Sequence, residues 1–131
     1  MKTYYTLILH PYDGGYLVTV PDVPGCTTGG KTIQEAIDMA RDALCGCLCV
    51  YEDENVSLPT PHMPDEIHLA DKDFAVLMEV DLLKYRMETD TRAVRKNVSL
   101  PAWLASMADK RSVNCSQVLQ DALKQKFGIT A

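Results

Sequence analysis

The chain has 131 residues, of which 47% are hydrophobic and 24% are charged, and its formal net charge is −5. These values are typical of a folded, water-soluble protein with one domain of ordinary size or two small ones. They exclude a membrane-spanning chain, because no apolar run approaches the roughly 18 to 20 residues of a membrane helix. The N-terminus lacks the small-residue cleavage site of a secretory signal, so we expect a cytoplasmic protein.

Charge is distributed unevenly along the chain. Residues 1–91 contain 6 Lys and Arg against 16 Asp and Glu, a net charge of −10, whereas residues 92–131 contain 7 against 2, a net charge of +5. An acidic segment followed by a shorter basic segment indicates two differently charged partners.

The first elements in the chain form a predicted β-hairpin. Residues Thr3–His10 and Tyr16–Val20 are rich in β-branched and aromatic side chains, and the turn between them contains Asp13-Gly14-Gly15. This pattern is the usual signal for two antiparallel strands. The stretch PDVPGCTTGG that follows predicts a bent connection, with a short third strand at Cys26–Thr28.

A long amphipathic helix is predicted next. Thr32 and Glu35 have the spacing of a capping box, in which each side chain binds the backbone N–H of the other residue. Beyond this start, apolar residues recur at three- and four-residue steps for about five turns. They are Ile33, Ala36, Ile37, Ala40, Ala43, Leu44, Cys47, Leu48 and Tyr51.

Three of the five cysteines, Cys45, Cys47 and Cys49, lie in this helix. An odd total disfavours a disulfide framework, and the C-x-C-x-C spacing differs from the C-x-x-C pattern of a zinc site. Buried or half-buried thiols are therefore the favoured interpretation, with metal or redox chemistry as the alternative. No metal or other cofactor is predicted anywhere in the chain.

Residues 52–91 are predicted to form a long loop, a strand and a linker. The prolines and acids of Glu52–Asp73 disfavour regular structure. Phe74–Leu82 is a mostly apolar run, predicted to be a central strand that pairs with the hairpin under the helix, and residues 84–91 are a predicted polar linker. Residues 1–83 therefore predict an α+β domain, one small antiparallel sheet with one long helix across it.

The last segment, residues 92–131, predicts a strand followed by two helices. From Val94 to Leu100 apolar and polar residues alternate, so the two sets lie on opposite faces of a strand. Pro101 fits the first turn of a helix at about residues 102–110, and Asn114 is a good N-cap for a second helix that ends at Gly128. No other segment of the same chain is predicted to cover the apolar face of this unit. We therefore predict a homodimer built on a two-stranded antiparallel ribbon.

Residues 94–128 resemble ribbon-helix-helix DNA-binding domains. The matching features are the alternating strand RKNVS, the LP helix start and the opening of the second helix. A two-stranded ribbon fits the major groove, arginine pairs with guanine, asparagine pairs with adenine, and a helix N-terminus binds a phosphate. The resemblance implies DNA contacts by outward strand residues and by backbone amides of the second helix, at Arg95, Asn97, Ser99, Asn114, Cys115 and Ser116.

Two residues depart from the pattern of that family. Lys96 falls at an inward strand position where an apolar residue is usual, so we expect its stem to pack inward while its amine reaches a DNA phosphate. Ser112 stands where many such domains have glycine, which predicts a strained turn. The alternative to DNA binding is a dimerisation element whose basic edge is only solvated.

The first domain resembles the HicB antitoxin family. The resemblance is carried by DGGYLVTVPDVPGC at Asp13–Cys26, GGKTIQEAIDMARDAL at Gly29–Leu44 and VLMEVDL at Val76–Leu82. It implies a truncated ribonuclease H fold that binds and blocks a small basic toxin, HicA, an mRNA-cleaving ribonuclease. It also implies a C-terminal domain that represses the protein's own operon. A solvated acidic face is the alternative for each candidate toxin contact, namely Asp13, Asp22, Glu35, Asp38 and Asp42.

An enzymatic role has the least support. Ribonuclease H chemistry needs several carboxylates that converge on two divalent metals, whereas Asp13 and Asp22 lie in turns, Asp81 lies near a strand end, and the three histidines are scattered. No catalytic residue is predicted, and the expected function is a non-enzymatic antitoxin and autorepressor. The alternative function is a ribbon-helix-helix repressor whose first domain senses a ligand or forms oligomers. Whether dimers pair into tetramers stays open.

Overall fold

The computed structural model describes residues 2–129, and the chain divides into two compact units with the boundary between Arg92 and Ala93. Residues 1, 130 and 131 of the predicted domains lie outside the described residues. The elements of the first unit are β1 (Lys2–Tyr12), β2 (Gly15–Thr19), β3 (Thr27–Gly30), α1 (Ile33–Asp53), a short 3-10 helix (Pro64–Glu66), β4 (Phe74–Asp81) and α2 (Leu82–Thr89). Those of the second unit are α3 (Ala102–Lys110) and α4 (Cys115–Lys126).

The four strands form one antiparallel sheet in the order β3-β2-β1-β4, which confirms the predicted α+β class with a small antiparallel sheet. The predicted hairpin is also confirmed, because β1 and β2 pair across a two-residue turn. Both turn residues, Asp13 (φ 47°) and Gly14 (φ 80°), are left-handed, as this type of tight hairpin turn requires. The predicted third strand is present as β3, but it spans Thr27–Gly30 and excludes Cys26, at which the predicted strand began.

β4 lies at the edge of the sheet, so the prediction of a central strand was wrong. It pairs only with β1, over eight consecutive residue pairs that involve Lys2–Leu9. The central position belongs to β1, which has neighbours on both sides and is buried from Tyr5 to Leu9. The apolar composition of β4 reflects one buried face, because Met78 and Val80 lie in the core while the alternate residues Leu77 and Glu79 are exposed.

One face of the sheet packs against α1. The helix begins at the predicted N-cap, since the Thr32 side chain accepts a hydrogen bond from the backbone N–H of Glu35 at 3.1 Å, but the reciprocal bond of a capping box, to the Glu35 side chain, is not formed. Its buried residues repeat at four-residue steps and meet alternate residues of the central strands. The core between helix and sheet includes Tyr5, Leu7, Leu9, Val18, Val20, Ala36, Ala40, Leu44, Leu48, Met78 and Val80.

The long loop between α1 and β4 is attached to β1 and helps to cover the other side of the sheet. We call this side the outer face; its residues include Tyr4, Thr6, Ile8, His10, Leu17, Thr19, Ala75, Leu77 and Glu79. The buried Thr6 hydroxyl donates to the His62 carbonyl at 2.7 Å, and the Tyr5 hydroxyl donates to the Pro59 carbonyl at 2.7 Å. Apart from the 3-10 helix, the loop is irregular, as predicted.

The segment predicted as a polar linker, residues 84–91, is mostly part of α2. Asp81 caps this helix by accepting a hydrogen bond from the backbone N–H of Lys84 at 3.1 Å. The guanidinium of Arg86 then donates to a backbone carbonyl and two carboxylates at the end of α1, those of Cys49, Glu52 and Asp53. A cation at a helix C-terminus satisfies unpaired carbonyls and complements the helix dipole. The linker prediction missed this helix because its partners lie more than thirty residues earlier in the chain.

The two helices of the second unit have the predicted bounds. Asn114 caps α4, because its side-chain oxygen accepts a hydrogen bond from the Gln117 backbone N–H at 3.1 Å, and α4 ends before Gly128, whose φ is 72°. The turn after α3 places Ser112 at φ 52°, the strained conformation that the sequence predicted. Among residues 2–129, no helix is both long and apolar enough to cross a bilayer.

We expect the Ser112→Gly variant to be more stable than the wild type by about 1 kcal/mol, because glycine adopts a left-handed backbone without the penalty that a Cβ imposes. Urea unfolding followed by the fluorescence of Trp103, the only tryptophan in the chain, reports on the second unit. The control is Ser112→Ala, which keeps the Cβ. A gain of equal size in the alanine variant would mean that backbone strain is not the cause.

Candidate functional site

The residues predicted to contact DNA bases lie on an extended segment before α3. Residues 90–101 have no regular secondary structure, so the strand predicted from Val94 to Leu100 pairs with no other strand among the described residues. A strand obtains its backbone hydrogen bonds from a neighbouring strand, and residues 94–100 have no such neighbour among the described residues. Arg95, Asn97 and Ser99 are all exposed on this segment.

The alternate residues of the same segment line an apolar groove with a volume of about 550 Å³ between α3 and α4. Several of its apolar side chains are exposed in the single chain, among them Val98, Leu104, Met107 and Val118. The groove also contains Lys96, which lies on the inward side of the segment. Its lining includes Lys96, Val98, Leu100, Leu104, Met107, Ala108, Val118, Leu119 and Ala122.

The first turn of α4 lies at the same groove, because Cys115 and Ser116 are part of the lining. The side chain of Asn114 is occupied by its capping bond to Gln117. The backbone N–H groups of the first helical turn have no carbonyl one turn earlier to bind, so they suit an anion. The fold therefore places the predicted amides of residues 114–116 at one helix N-terminus.

The acids predicted as toxin contacts do not form a single cluster. Asp13 is exposed in the hairpin turn, whereas Glu35, Asp38 and Asp42 are exposed on the side of α1 that faces away from the sheet. Carboxylates spread in this way contribute to the negative potential of the whole unit, and none of them defines a contact site by itself.

Asp22, the fifth predicted acid, is held inside the fold. Its side chain is only 8% exposed, and it accepts hydrogen bonds from the backbone N–H of His62 at 2.8 Å and from the Nδ1 of the same residue at 2.5 Å. The hydrogen bond to this carboxylate raises the pKa of His62. Asp22 therefore attaches the long loop to the end of β2. The sequence did not indicate the pair, because the two residues are 40 positions apart.

His10 forms a second connection between the loop and the sheet. Its Nδ1 lies 2.6 Å from a carboxylate oxygen of Asp73, and its Nε2 lies 2.9 Å from the hydroxyl of Thr19. The imidazole thus joins β1 to β2 and to the residue before β4. Among residues 2–129, no group of three or more His, Cys, Asp or Glu side chains is placed to hold a metal ion.

The cysteines of the first unit are free thiols that are buried or half-buried, which confirms the favoured interpretation. Burial raises the pKa of Cys26 to about 12, with the neighbouring Cys47 adding to the effect, and burial raises the pKa of Cys45 to about 11. A thiol with such a pKa is protonated at neutral pH and is a poor nucleophile. Cys115 in the second unit is exposed.

An exposed apolar surface lies beside β4 and was not predicted from the sequence. Leu77 on β4 is 45% exposed and Tyr4 on the adjacent β1 is 44% exposed, and both belong to the outer face. The available signal was the end of the strand, where Glu79 and Asp81 interrupt the apolar run. Charged residues at alternate positions are typical of a strand with one exposed face.

The family model described as HicB-like antitoxin of bacterial toxin-antitoxin systems matches residues 5–122, which is most of the chain. The chain is 41% identical to antitoxin HicB 1 of Photorhabdus laumondii over 58 residues, which are 44% of this chain and 37% of that protein. It is 31% identical to antitoxin HicB of Escherichia coli over 88 residues, 66% of this chain and 64% of that protein. The matched segments thus span less than two thirds of either relative.

The fold also resembles a solved antitoxin. The crystal structure of the Burkholderia pseudomallei antitoxin HicB is similar with a TM-score of 0.56 and a sequence identity of 27%. The similarity covers 92% of this chain and 96% of that chain, so it includes both units.

Proposed function

The chain belongs to the family of HicB-like antitoxins of bacterial toxin-antitoxin systems, and we propose that it binds and neutralises a HicA-like mRNA-cleaving ribonuclease and represses its own operon. In this proposal residues 1–83 bind the toxin and residues 92–131 form a ribbon-helix-helix homodimer on operator DNA. The protein acts in the cytoplasm, without a cofactor, and performs no catalysis.

The observation that carries the DNA-binding part is the alternation along residues 94–100. Val98 and Leu100 line the apolar groove, whereas Arg95, Asn97 and Ser99 are exposed and are not part of its lining. An open groove lined by exposed apolar side chains marks an interaction surface. A second copy fills it if the two extended segments pair as antiparallel strands, because each ribbon strand then covers part of the other copy's groove.

Such a dimer presents its polar residues to DNA twice. A two-stranded ribbon fits the major groove, where the guanidinium of Arg95 pairs with guanine and the amide of Asn97 pairs with adenine. The N-terminus of α4 supplies backbone N–H groups that bind a DNA phosphate. Lys96 extends its amine from the groove toward another phosphate of the DNA. The net charge of +5 in residues 92–131 supports binding to a polyanion.

The acidic first unit suits a basic partner. Residues 1–91 carry a net charge of −10, which accelerates encounter with a cationic protein and repels RNA. The exposed acids Asp13, Glu35, Asp38 and Asp42 contribute to this potential. Asp22 is not among the proposed contacts, because His62 already occupies its carboxylate.

Co-expression tests the proposal directly. The protein encoded by the adjacent open reading frame, which the proposal expects to be the toxin, is induced in bacteria with and without this chain, and growth is measured. We expect growth arrest with the toxin alone and recovery when both are present. Arrest that persists despite soluble antitoxin would contradict neutralisation and would favour the alternative, a repressor whose first unit senses a ligand or forms oligomers.

A further inference from the structure

Among residues 2–129 no strand pairs with the outer edge of β4, although the 3-10 helix Pro64–Glu66 lies near this strand, and we propose that this edge is the toxin-binding surface, where a strand of the basic partner extends the sheet. The inference rests on the proposed function and specifies the surface that performs it. It places the direct contacts at the edge of the sheet, away from the acidic side of α1. The acids of α1 then attract the basic partner electrostatically before contact and do not bind it directly.

The edge of β4 is regular enough to accept another strand. Its eight residues pair with β1 in uninterrupted register, without a bulge or a proline. An edge strand of this kind exposes a row of backbone donors and acceptors, and soluble proteins usually protect such edges with bulges, prolines, lysines or covering elements. β4 contains no lysine, arginine or proline. Sheet extension by a partner strand satisfies these groups.

The opposite edge of the sheet is a poorer template. β3 has only four residues, two of which are glycines, and the first turns of α1 pack closely on it. A Cβ at Gly30 would lie 2.5 Å from the backbone nitrogen of Ala36. A partner strand would therefore find a short edge beside a helix at β3 and a full-length edge at β4.

Apolar side chains beside β4 add a surface for the partner's side chains. Leu77 and Tyr4 are each more than two fifths exposed, and their strands are neighbours on the outer face. Because side chains of a strand alternate between the two faces of the sheet, a strand added at β4 would place every second side chain on the outer face. One of these side chains would lie beside Leu77. The backbone pairing supplies affinity, and this apolar contact supplies register.

Charge selects the basic partner over a second copy of this unit. Pairing two β4 edges would bring together two units of net charge −10 and would place Glu79 and Asp81 of both copies on one short ribbon. A basic strand instead meets a unit of opposite net charge, in which Glu79 already pairs with Lys2 at 3.2 Å and Asp81 caps α2, so the favoured occupant is the cationic toxin.

Hydrogen exchange measures the contact without a mutation. The full-length chain is compared alone and in complex with a catalytically inactive variant of the toxin encoded by the adjacent reading frame. We expect the N–H groups of residues 74–81 that point away from β1 to exchange at least tenfold more slowly in the complex, while those of residues 27–30 keep their rates. Unchanged exchange in β4 with a fully formed complex would overturn the inference and leave the proposed function intact.

A pair of matched variants provides the second measurement. Leu77→Lys places an edge-protecting cation on β4, and Leu17→Lys makes the same change on the inner strand β2, where the leucine on the same face is 39% exposed. We expect Leu77→Lys to bind the inactivated toxin at least tenfold more weakly through faster dissociation, and Leu17→Lys to bind within about twofold of wild type. Urea unfolding of both variants verifies that each is folded.

The outcomes separate the two proposals. Wild-type protein that fails to bind the toxin overturns both of them. Equal binding by both lysine variants overturns the edge assignment alone. If Leu77→Lys lowers the mass of the antitoxin in sedimentation without toxin, the occupant is a second copy, and the assignment of the toxin is wrong.

Discussion

Replacing Val118 with glutamate is expected to abolish dimerisation and operator binding while the first unit stays folded and able to bind the toxin. Val118 is 56% exposed in the single chain, so a glutamate there would cost little if the second unit were monomeric. In the proposed dimer the same position is enclosed in the groove. A buried carboxylate without a partner costs several kcal/mol, and the two-fold symmetry places one in each copy. We expect dimerisation to weaken by at least about 100-fold, which corresponds to about 2.7 kcal/mol.

The matched control for this variant is Gln120→Glu. It adds the same charge to the same helix at an exposed residue outside the groove. Sedimentation velocity over a range of concentrations measures the dimer, and an electrophoretic mobility shift with the DNA upstream of the operon measures binding. If Val118→Glu remains dimeric and binds DNA like Gln120→Glu, the groove is not the dimer interface.

The parts of the fold that were predictable from the sequence are those with local causes. Thr32 and Asn114 cap their helices through bonds to residues three positions later, and the Asp13-Gly14 turn closes a hairpin between adjacent strands. Each of these signals lies within a few residues, so a short window contains both the donor and the acceptor. The bounds of α3 and the strained backbone at Ser112 were predictable for the same reason.

The errors arose where the cause lies far away in the chain. The position of β4 at the sheet edge depends on which side of β1 remained free after the hairpin formed, and strand composition does not encode this choice. The helix in residues 84–91 depends on Arg86 reaching the end of α1. The local pattern of residues 74–82 predicts a strand but not its place in the sheet, and residues 84–91 have only a weak helical pattern, so tertiary contacts determine both.

The candidate site shows the same division. The parity of residues 94–100 is a local property, so the sequence was sufficient to separate the groove-lining residues from Arg95, Asn97 and Ser99. Whether a carboxylate is free to bind a partner protein is not a local property. Asp22 is occupied by His62, and no pattern near Asp22 indicates that partner. Counting acids therefore predicted the sign of the partner's charge and left the contact surface undetermined.

The double variant Arg95→Ala/Asn97→Ala is expected to lose specific operator binding while it neutralises the toxin as well as the wild type does. Each direct base contact contributes about 1 to 3 kcal/mol, and the dimer would lose four of them. The residual affinity is then that of non-specific binding, which depends on phosphate contacts and falls steeply with salt. Mobility shifts with operator and scrambled DNA at several salt concentrations measure the specific and the non-specific DNA affinity. Co-expression with the toxin measures neutralisation.

The control variant Lys110→Ala/Gln120→Ala removes the same side-chain classes from exposed positions on α3 and α4. Because it removes an equal charge, it separates base recognition from general electrostatic attraction. The operator should remain favoured over scrambled DNA in this control and lose its advantage in the Arg95→Ala/Asn97→Ala variant. If both variants keep an equal preference for the operator, the exposed residues of the extended segment do not recognise its sequence. Loss of neutralisation in a folded Arg95→Ala/Asn97→Ala protein would contradict the assignment of the two activities to separate units.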